Sequence, residues 1–331
     1  MPDLVNRKTP RAVLWGKLAW HPAAHAWRSF AGDTAEPERI DVLRKGKKSA
    51  TFRLVGAGPA GEAVIAQRSP AAKAAIERTV YEQVLPRLAL TAPHFYGSCD
   101  DGDDAVWFFL EDVGDDRIDP SDAAHLSLAG RWVGALHAGA ATLPAIRTLP
   151  DGGPARYHAH LRVGRDTIRA NLGNPALAPE EARALERLLA DLDAIDRAWG
   201  PIAALCQGMP QTLVHGDIQR KNLHVRHGAA GPQVFLIDWE TAGWGVPAAD
   251  LPRIDLAAYR SQVHATWPDL EPDALRRLAA VGGVLVQLAA IRWVSPEMSY
   301  AEALYLARPL SWLRVLHERL SAAVQQLGAV A

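Results

Sequence analysis

Lysine is scarce in this chain, with seven residues against 29 arginines among 331. Chemistry that needs a lysine has few places to find one, and three of the seven, Lys45, Lys47 and Lys48, fall together. Cysteine is scarcer still. Cys99 and Cys206 stand far apart, which excludes a disulfide framework and a cysteine-built zinc site. A reducing compartment suits such a chain, so a cytoplasmic location is expected. Net charge is nearly absent, at -1. That excludes a global field recruiting nucleic acid or an anionic membrane, and neither partner is expected. Long apolar runs are lacking too. Leu278 to Ile291, the longest nearly uncharged stretch, is too short to cross a bilayer and is predicted to be a buried helix. Met1 to Pro10 has no apolar stretch of the signal-peptide kind. Histidine is plentiful, but His21/His25, His158/His160 and His224/His227 lack the carboxylates or cysteines that would complete a metal site.

What is present is ordinary globular material. The length allows one large or two modest domains with a real core. There is no internal repeat. Residues 11–30 are alanine-rich and hold Trp15, Trp20 and Trp27, a pattern that suits a helix packed on the body. Ile40 to Leu43, Ser49 to Val55 and Ala63 to Ala66 read as strands, separated by the basic turn Arg44–Lys48 and the glycine turn Gly56–Gly61. Pro70 closes that region. Ala71 to Leu88 is predicted helical from Ile76, Val80, Val84 and Leu88, each four apart. Ala105 to Leu110 is another apolar strand. Beyond it Leu126–His137, Pro179–Trp199, Pro272–Trp293 and Tyr300–Leu327 carry helical spacing. The exception is Leu213 to Trp239, where two short apolar runs flank the turn His227–Gly231, as in a hairpin. The chain is expected to divide near residue 112, into a strand-rich part (1–112) and a mostly helical part (113–331).

Two motifs bear on nucleotides. Gly56-Ala57-Gly58-Pro59-Ala60-Gly61 matches G-x-G-x-x-G, the wording of a flavin or dinucleotide site. Such a site needs a helix whose N-terminus holds the pyrophosphate. Here Ala63 to Arg68 suits a strand and Pro70 stops it, so a hairpin turn is the stronger reading. The second motif is more specific. Val214-His215-Gly216-Asp217 runs on to Asn222 as H-G-D-x-x-x-x-N, and Asp238 follows at the end of the apolar run Phe235–Ile237. Phosphoryl transfer needs a carboxylate to orient the attacking hydroxyl and take its proton, and oxygen ligands for magnesium on the phosphates. A short loop can present Asp217 and Asn222 together, and a hairpin can return Asp238.

These residues resemble the aminoglycoside phosphotransferase and choline kinase superfamily, relatives of the protein kinases, over about residues 40 to 260. The resemblance implies an α+β, protein-kinase-like two-lobe fold. It implies transfer of the γ-phosphate of ATP or GTP, with Mg2+, to a hydroxyl of a small molecule: an antibiotic, a sugar or an amino alcohol. Asp217 would be the catalytic aspartate, with Asn222 and Asp238 as metal ligands. His215 and Asp250 would be structural. Gly46, Lys47, Lys48 and Ser49 would cover the phosphates, and Leu110, Glu111 and Val113 would form the hinge that meets adenine. Glu77, or else Glu82, resembles the glutamate that pairs with a phosphate-binding strand lysine. The role would include antibiotic resistance.

The chain departs from that pattern at one place. The strand lysine of V-A-I-K is replaced by Gln67, which donates hydrogen bonds but has no charge. Three explanations stand side by side. Arg68 takes the role if the register is shifted by one; Lys47 or Lys48 supplies the charge; or the chain is a weak or dead kinase that binds nucleotide. The acceptor is less legible. From Val246 onward eight acidic and eight basic residues balance, so there is no acidic bias of the kind cationic antibiotics favour. Glu240, Asp250, Asp255 and Asp269, and Trp239, Trp244, Trp267 and Trp293, are the candidates to line its pocket.

Overall fold

The computed structural model describes residues 11–12, 17–32, 35–46, 49–102, 104–229 and 231–330. Trp15, Lys47 and Lys48 lie outside the described residues. The chain forms two compact units. One runs to Arg117 and takes in Leu223–Glu240; the other joins Ile118–Asn222 to the chain from Thr241 onward.

Among the described residues, the first unit is built on a six-stranded antiparallel sheet and two α-helices. Its elements are β1 (Arg11–Ala12), α1 (Pro22–Ala31), β2 (Arg39–Lys45), β3 (Ala50–Val55), β4 (Val64–Pro70), α2 (Ala71–Thr79), β5 (Phe95–Asp100) and β6 (Ala105–Glu111). The sheet order is β1-β2-β3-β4-β6-β5. Period-two alternation along β6 sends Trp107 and Phe109 to one face and Val106 and Phe108 to the other. The first pair joins Trp27 of α1, Ile40, Leu54 and Val64 in the larger core. The second pair meets Ala74 of α2 and Phe95. Every residue from Ala105 to Leu110 is therefore buried. Truncating Trp27, which is 2% exposed, is expected to cost about 3–5 kcal/mol.

Two features differ from the sequence reading, and a third agrees with it. Helix α2 stops at Thr79, and the chain continues through a π-turn over Val80–Val84 and a 3-10 turn over Leu85–Arg87. Pro86 lacks the N–H that a longer α-helix requires. Strand β5 was unexpected, because Gly97 at φ 141° and a register shift beside it break the alternation. The glycine fingerprint is a hairpin connection. Gly56 and Gly61 adopt φ 78° and 81°, the Gly61 N–H donates to Gly58 O at 3.0 Å, and the chain enters β4 directly. No helix begins there, so the hairpin-turn reading holds and the remote dinucleotide alternative is set aside.

The hairpin of Leu223–Gly228 and Gly231–Leu236 groups with the first unit, whereas a cut at residue 112 assigns it to the helical part. Contacts explain this. Val225 N–H donates to Asp116 O at 3.0 Å, Arg226 pairs with Glu111 at 2.6 Å, and Thr91 donates to Val234 O.

The second unit is mostly helical: α3 (Ala123–Ala140), α4 (Pro154–Ala170), α5 (Pro179–Arg197), α6 (Trp199–Ala204), α7 (Leu256–Val263), α8 (Pro272–Val294) and α9 (Ala303–Val330). By length and composition the stretch Pro272–Ser299 would suffice to cross a membrane. Here Leu278, Val281, Val284, Leu285, Leu288 and Ile291 of α8 are buried in the unit's core. Gly282 of α8 lies against the turn Pro247–Asp250; a Cβ there would sit 1.8 Å from Ala248 O, so only glycine allows that approach. A two-stranded antiparallel ladder, Thr212–Val214 with Gly243–Gly245, leads into the His215 loop. A small antiparallel sheet unit and a larger helical unit together make the α+β, protein-kinase-like fold.

Candidate active site

In the second unit the chain leaves the Thr212–Val214 strand at His215 and turns at Gly216, whose φ is 78°. The Asp250 carboxylate accepts the His215 N–H at 2.6 Å and the Gly216 N–H at 2.8 Å. His137 Nε2 lies 3.3 Å from the same carboxylate, and Tyr259 Oη lies 3.0 Å from His137 Nδ1. His137, Asp250 and Tyr259 are all almost fully buried. His215 Nδ1 accepts the Asp217 N–H at 3.2 Å, and Thr241 Oγ1 donates to His215 O at 2.8 Å. The loop is thus held by charge-assisted and backbone bonds on both sides of Asp217.

Asp217 itself is 7% exposed. Lys221 Nζ lies 2.7 Å from Asp217 Oδ2, Asn222 Nδ2 donates to the same oxygen at 3.2 Å, and Gln219 Nε2 donates to Oδ1. Asn222 Nδ2 also donates to Asp217 O at 3.0 Å, which leaves its Oδ1 as an oxygen ligand. Gly216, Asp217 and Gln219 line a small cavity whose other walls come from Arg253, α8 and α9.

In the first unit the β4 register pairs Gln67 with Thr51 and Phe108. Gln67 Nε2 donates to Glu77 Oε2 at 3.0 Å. Glu77 is 1% exposed, while Glu82 is exposed, so Glu77 is the carboxylate that meets β4. Arg68, on the opposite face, pairs with Asp101, and a one-residue slip that would put it beside Glu77 is excluded. Burial, reinforced by the charges of Asp238 and Glu240, pushes the Glu77 carboxyl up to about 8. Lys73 of α2 acts against that shift and binds Glu240 at 2.8 Å. Asp238 adopts φ 69°, alone in positive φ among the described non-glycine residues. Such a conformation costs roughly 1–2 kcal/mol, and outliers of this kind cluster at functional sites.

At the expected hinge, the Glu111 N–H donates to His94 O at 2.8 Å and its carboxylate holds Arg226. Leu110 is buried in β6. Val113 is buried, and its N–H donates to no described residue. Gly46 N–H donates to Ser49 O at 2.8 Å, closing the turn after β2. Lys47 and Lys48, between them, lie outside the described residues.

The structure therefore joins Asp217, Asn222, His215 and Asp250 within one unit, and Gln67, Glu77 and the charge of Asp238 within the other. Of the acidic candidates for the acceptor pocket, none lines the Asp217 cavity. Glu240 is taken by Lys73, Asp250 braces the loop, and Asp255 caps α7 by accepting from Ala257 and Ala258 N–H. Of the four tryptophans, Trp293 lines the cavity; Trp239 is fully buried in the first unit, and Arg147 lies over Trp244. Lys221, Gln219, Lys73 and Gln287 were not anticipated. The first two occupy the variable positions of the H-G-D-x-x-x-x-N loop, where residue type alone could have flagged a counter-ion.

This fold is that of the kinase-like small-molecule phosphotransferases. The profile of the phosphotransferase enzyme family (APH) matches residues 40–262, well over half of the chain, and the protein belongs to that family. No curated protein matches the sequence. Among solved structures, a GDP complex of an aminoglycoside 2'-phosphotransferase-IIIa variant is similar at TM-score 0.63 and 14% identity, covering 93% of this chain and 98% of that one. Spectinomycin phosphotransferase APH(9)-Ia, in complex with ADP and its antibiotic, gives TM-score 0.56 at 10% identity, covering 87% and 94%. Plasmodium vivax ethanolamine kinase gives 0.58 at 12%, covering 86% and 82%. At such identities the likeness is one of fold.

Proposed function

We propose that this phosphotransferase moves the terminal phosphoryl group of ATP or GTP to a hydroxyl of a small molecule in the cytoplasm, with Asp217 as base. The observation that carries the reading is the Asp217 carboxylate, fixed by its own loop and facing a cavity. The acceptor hydroxyl gives its proton to Asp217 as its oxygen attacks the γ-phosphorus. The bond to the β–γ bridging oxygen breaks, and a phosphate ester and a nucleoside diphosphate result. Lys221 holds the carboxylate and Gln219 orients it. Asp250 and His215 are positioning residues, since each acts on the loop backbone.

The donor set suits magnesium. Asn222 Oδ1 and the Asp238 carboxylate are hard oxygen ligands, and magnesium takes only one or two protein oxygens beside the phosphates. When bound, the ion neutralises the phosphate charge. The unpaired Val113 N–H suits an adenine or guanine acceptor, because a buried backbone donor without a partner is uncommon. Nucleotides in the neighbouring structures, GDP and ADP, support this reading. The spectinomycin complex supports a hydroxylated acceptor, and antibiotic modification as one such role.

A second reading rests on Gln67. Without the strand lysine the chain would bind nucleotide and turn it over weakly or not at all. Asp217→Ala separates the two. Under the first reading it lowers kcat by about 100- to 10,000-fold and leaves magnesium–nucleotide binding nearly unchanged by calorimetry. Turnover that survives the substitution would remove Asp217 from the role of base.

A further inference from the structure

Gln67 leaves strand β4 without the cation of the kinase pattern, and another cation of the same unit stands close by. Lys73 and Glu77 lie four apart on α2, so they share a face of that helix. Lys73 Nζ binds Glu240 Oε2 at 2.8 Å, two residues beyond Asp238 in the chain. Its charge also acts on Glu77, where the charges of Asp238 and Glu240 converge. Lys73 thus stands at the acidic cluster of Glu77, Asp238 and Glu240. Its place in the helix is otherwise unfavourable. It falls in the first turn of α2, which holds no acidic residue. The positive end of the helix dipole disfavours a cation there and favours an anion beside it. The ion pair with Glu240 is half-exposed on the lysine side, so it holds Lys73 weakly. Arg68, the cation next to Gln67 in sequence, is turned to the other face and held by Asp101.

We propose that Lys73 takes over the task of the missing strand lysine: it exchanges Glu240, its resting partner, for the phosphates of a magnesium–nucleotide. The proposal rests on the phosphotransfer reading for the presence of that nucleotide. An ammonium on a four-carbon stem is a compact charge with rotatable donors, so it meets phosphate oxygens from more than one direction. A half-exposed ion pair gains little, whereas a triphosphate carries several charges and strong acceptors, so the exchange favours the nucleotide. Gln67 then keeps the task of holding Glu77, to which it donates at 3.0 Å.

The test measures calorimetric binding of a non-hydrolysable triphosphate analogue with magnesium, and of the bare nucleoside, in the adenine and guanine series. Lys73→Ala should weaken the triphosphate about tenfold or more, the worth of one charge-assisted bond, and leave the nucleoside unchanged. Glu240→Gln should leave triphosphate affinity unchanged or raise it, because it removes only the resting partner. Gln67→Lys should restore binding to the Lys73→Ala protein, gaining more there than in the native one. Native-like triphosphate binding by Lys73→Ala would overturn the proposal. So would a Glu240→Gln loss equal to that of Lys73→Ala, which would make the pair a structural tie. Loss of nucleoside binding in Lys73→Ala, or equal gains from Gln67→Lys in both backgrounds, would overturn it too. Diphosphate release is then assayed separately with hydroxylated acceptors. Lys73-dependent triphosphate binding without any Asp217-dependent release would sink the phosphotransfer reading and leave the Lys73 assignment standing.

Discussion

Glu77 and Asp217 are both carboxylates buried in their own unit, at 1% and 7% exposure, yet they are solvated by the protein in opposite ways. Asp217 receives an ammonium from Lys221 at 2.7 Å and two side-chain amides, all within six residues of chain. Glu77 receives the neutral amide of Gln67 and lies in the fields of Asp238 and Glu240. Its carboxyl is consequently pushed up to about 8. The loop of the second unit carries its own counter-ion. Among the described residues the Gln67–Glu77 pair of the first unit has no directly bonded counter-ion; Lys73 of α2 acts on Glu77 through its field alone and is bound to Glu240. The comparison locates the departure from the kinase pattern in one unit and leaves the other intact.

The largest stability effect should come from the frame behind Asp217. Asp250→Ala removes the charged acceptor of two backbone N–H groups and the partner of His137. We expect a loss of about 3–5 kcal/mol in urea unfolding, with turnover lost as well. Near-native stability would mean that the loop supports itself. Gly216→Ala should cost less, roughly 1–2 kcal/mol, because φ 78° disfavours any side chain and a Cβ would sit 3.1 Å from Thr241 O. Its melting temperature and kcat should fall together.

Gln67→Lys probes the other side of the comparison. A lysine there would pair with Glu77 and face the phosphates, so magnesium–nucleotide should bind about tenfold more tightly, ~1.4 kcal/mol. Unchanged or weaker binding would show that the charge is already supplied, with Lys73 as the first residue to test. The smallest effect is a pH dependence. Glu77 has a folded-state pKa raised above its unfolded value, so between about pH 5 and about pH 8 the metal-free folded state holds a proton the unfolded chain has released. Stability from this group is complete below the unfolded pKa and declines as pH rises through that window. Glu77→Gln should flatten the decline in urea titrations across it; equal slopes in both proteins would contradict the assignment.

Much of this architecture was legible in the sequence. The alternation of Ser49–Val55, the apolar run Ala105–Leu110 and the four-residue spacing on the helices each reflect one local period. Asp217 and Asn222 were legible for the same reason, since a contiguous loop fixes both. What escaped depends on distant contacts. Helix register alone could not choose Glu77 over Glu82, because the choice is made by burial against β4. Lys73 and Glu240 meet across 167 residues of chain. The cavity draws on a loop near residue 217 and on faces of α8 and α9, so no single stretch announces it. Strand β5 was hidden by Gly97, which interrupts the pattern where the strand bulges.

The claim that this chain is a working phosphotransferase despite Gln67 is tested most directly by release of nucleoside diphosphate from purified protein. Magnesium, nucleoside triphosphate and hydroxylated acceptors would be supplied together and then singly omitted. The account predicts release that needs both magnesium and an acceptor, in step with phosphate ester formation. Tight nucleotide binding with no release above the acceptor-free rate, for any acceptor, would contradict it and identify a nucleotide-binding protein that has lost its chemistry.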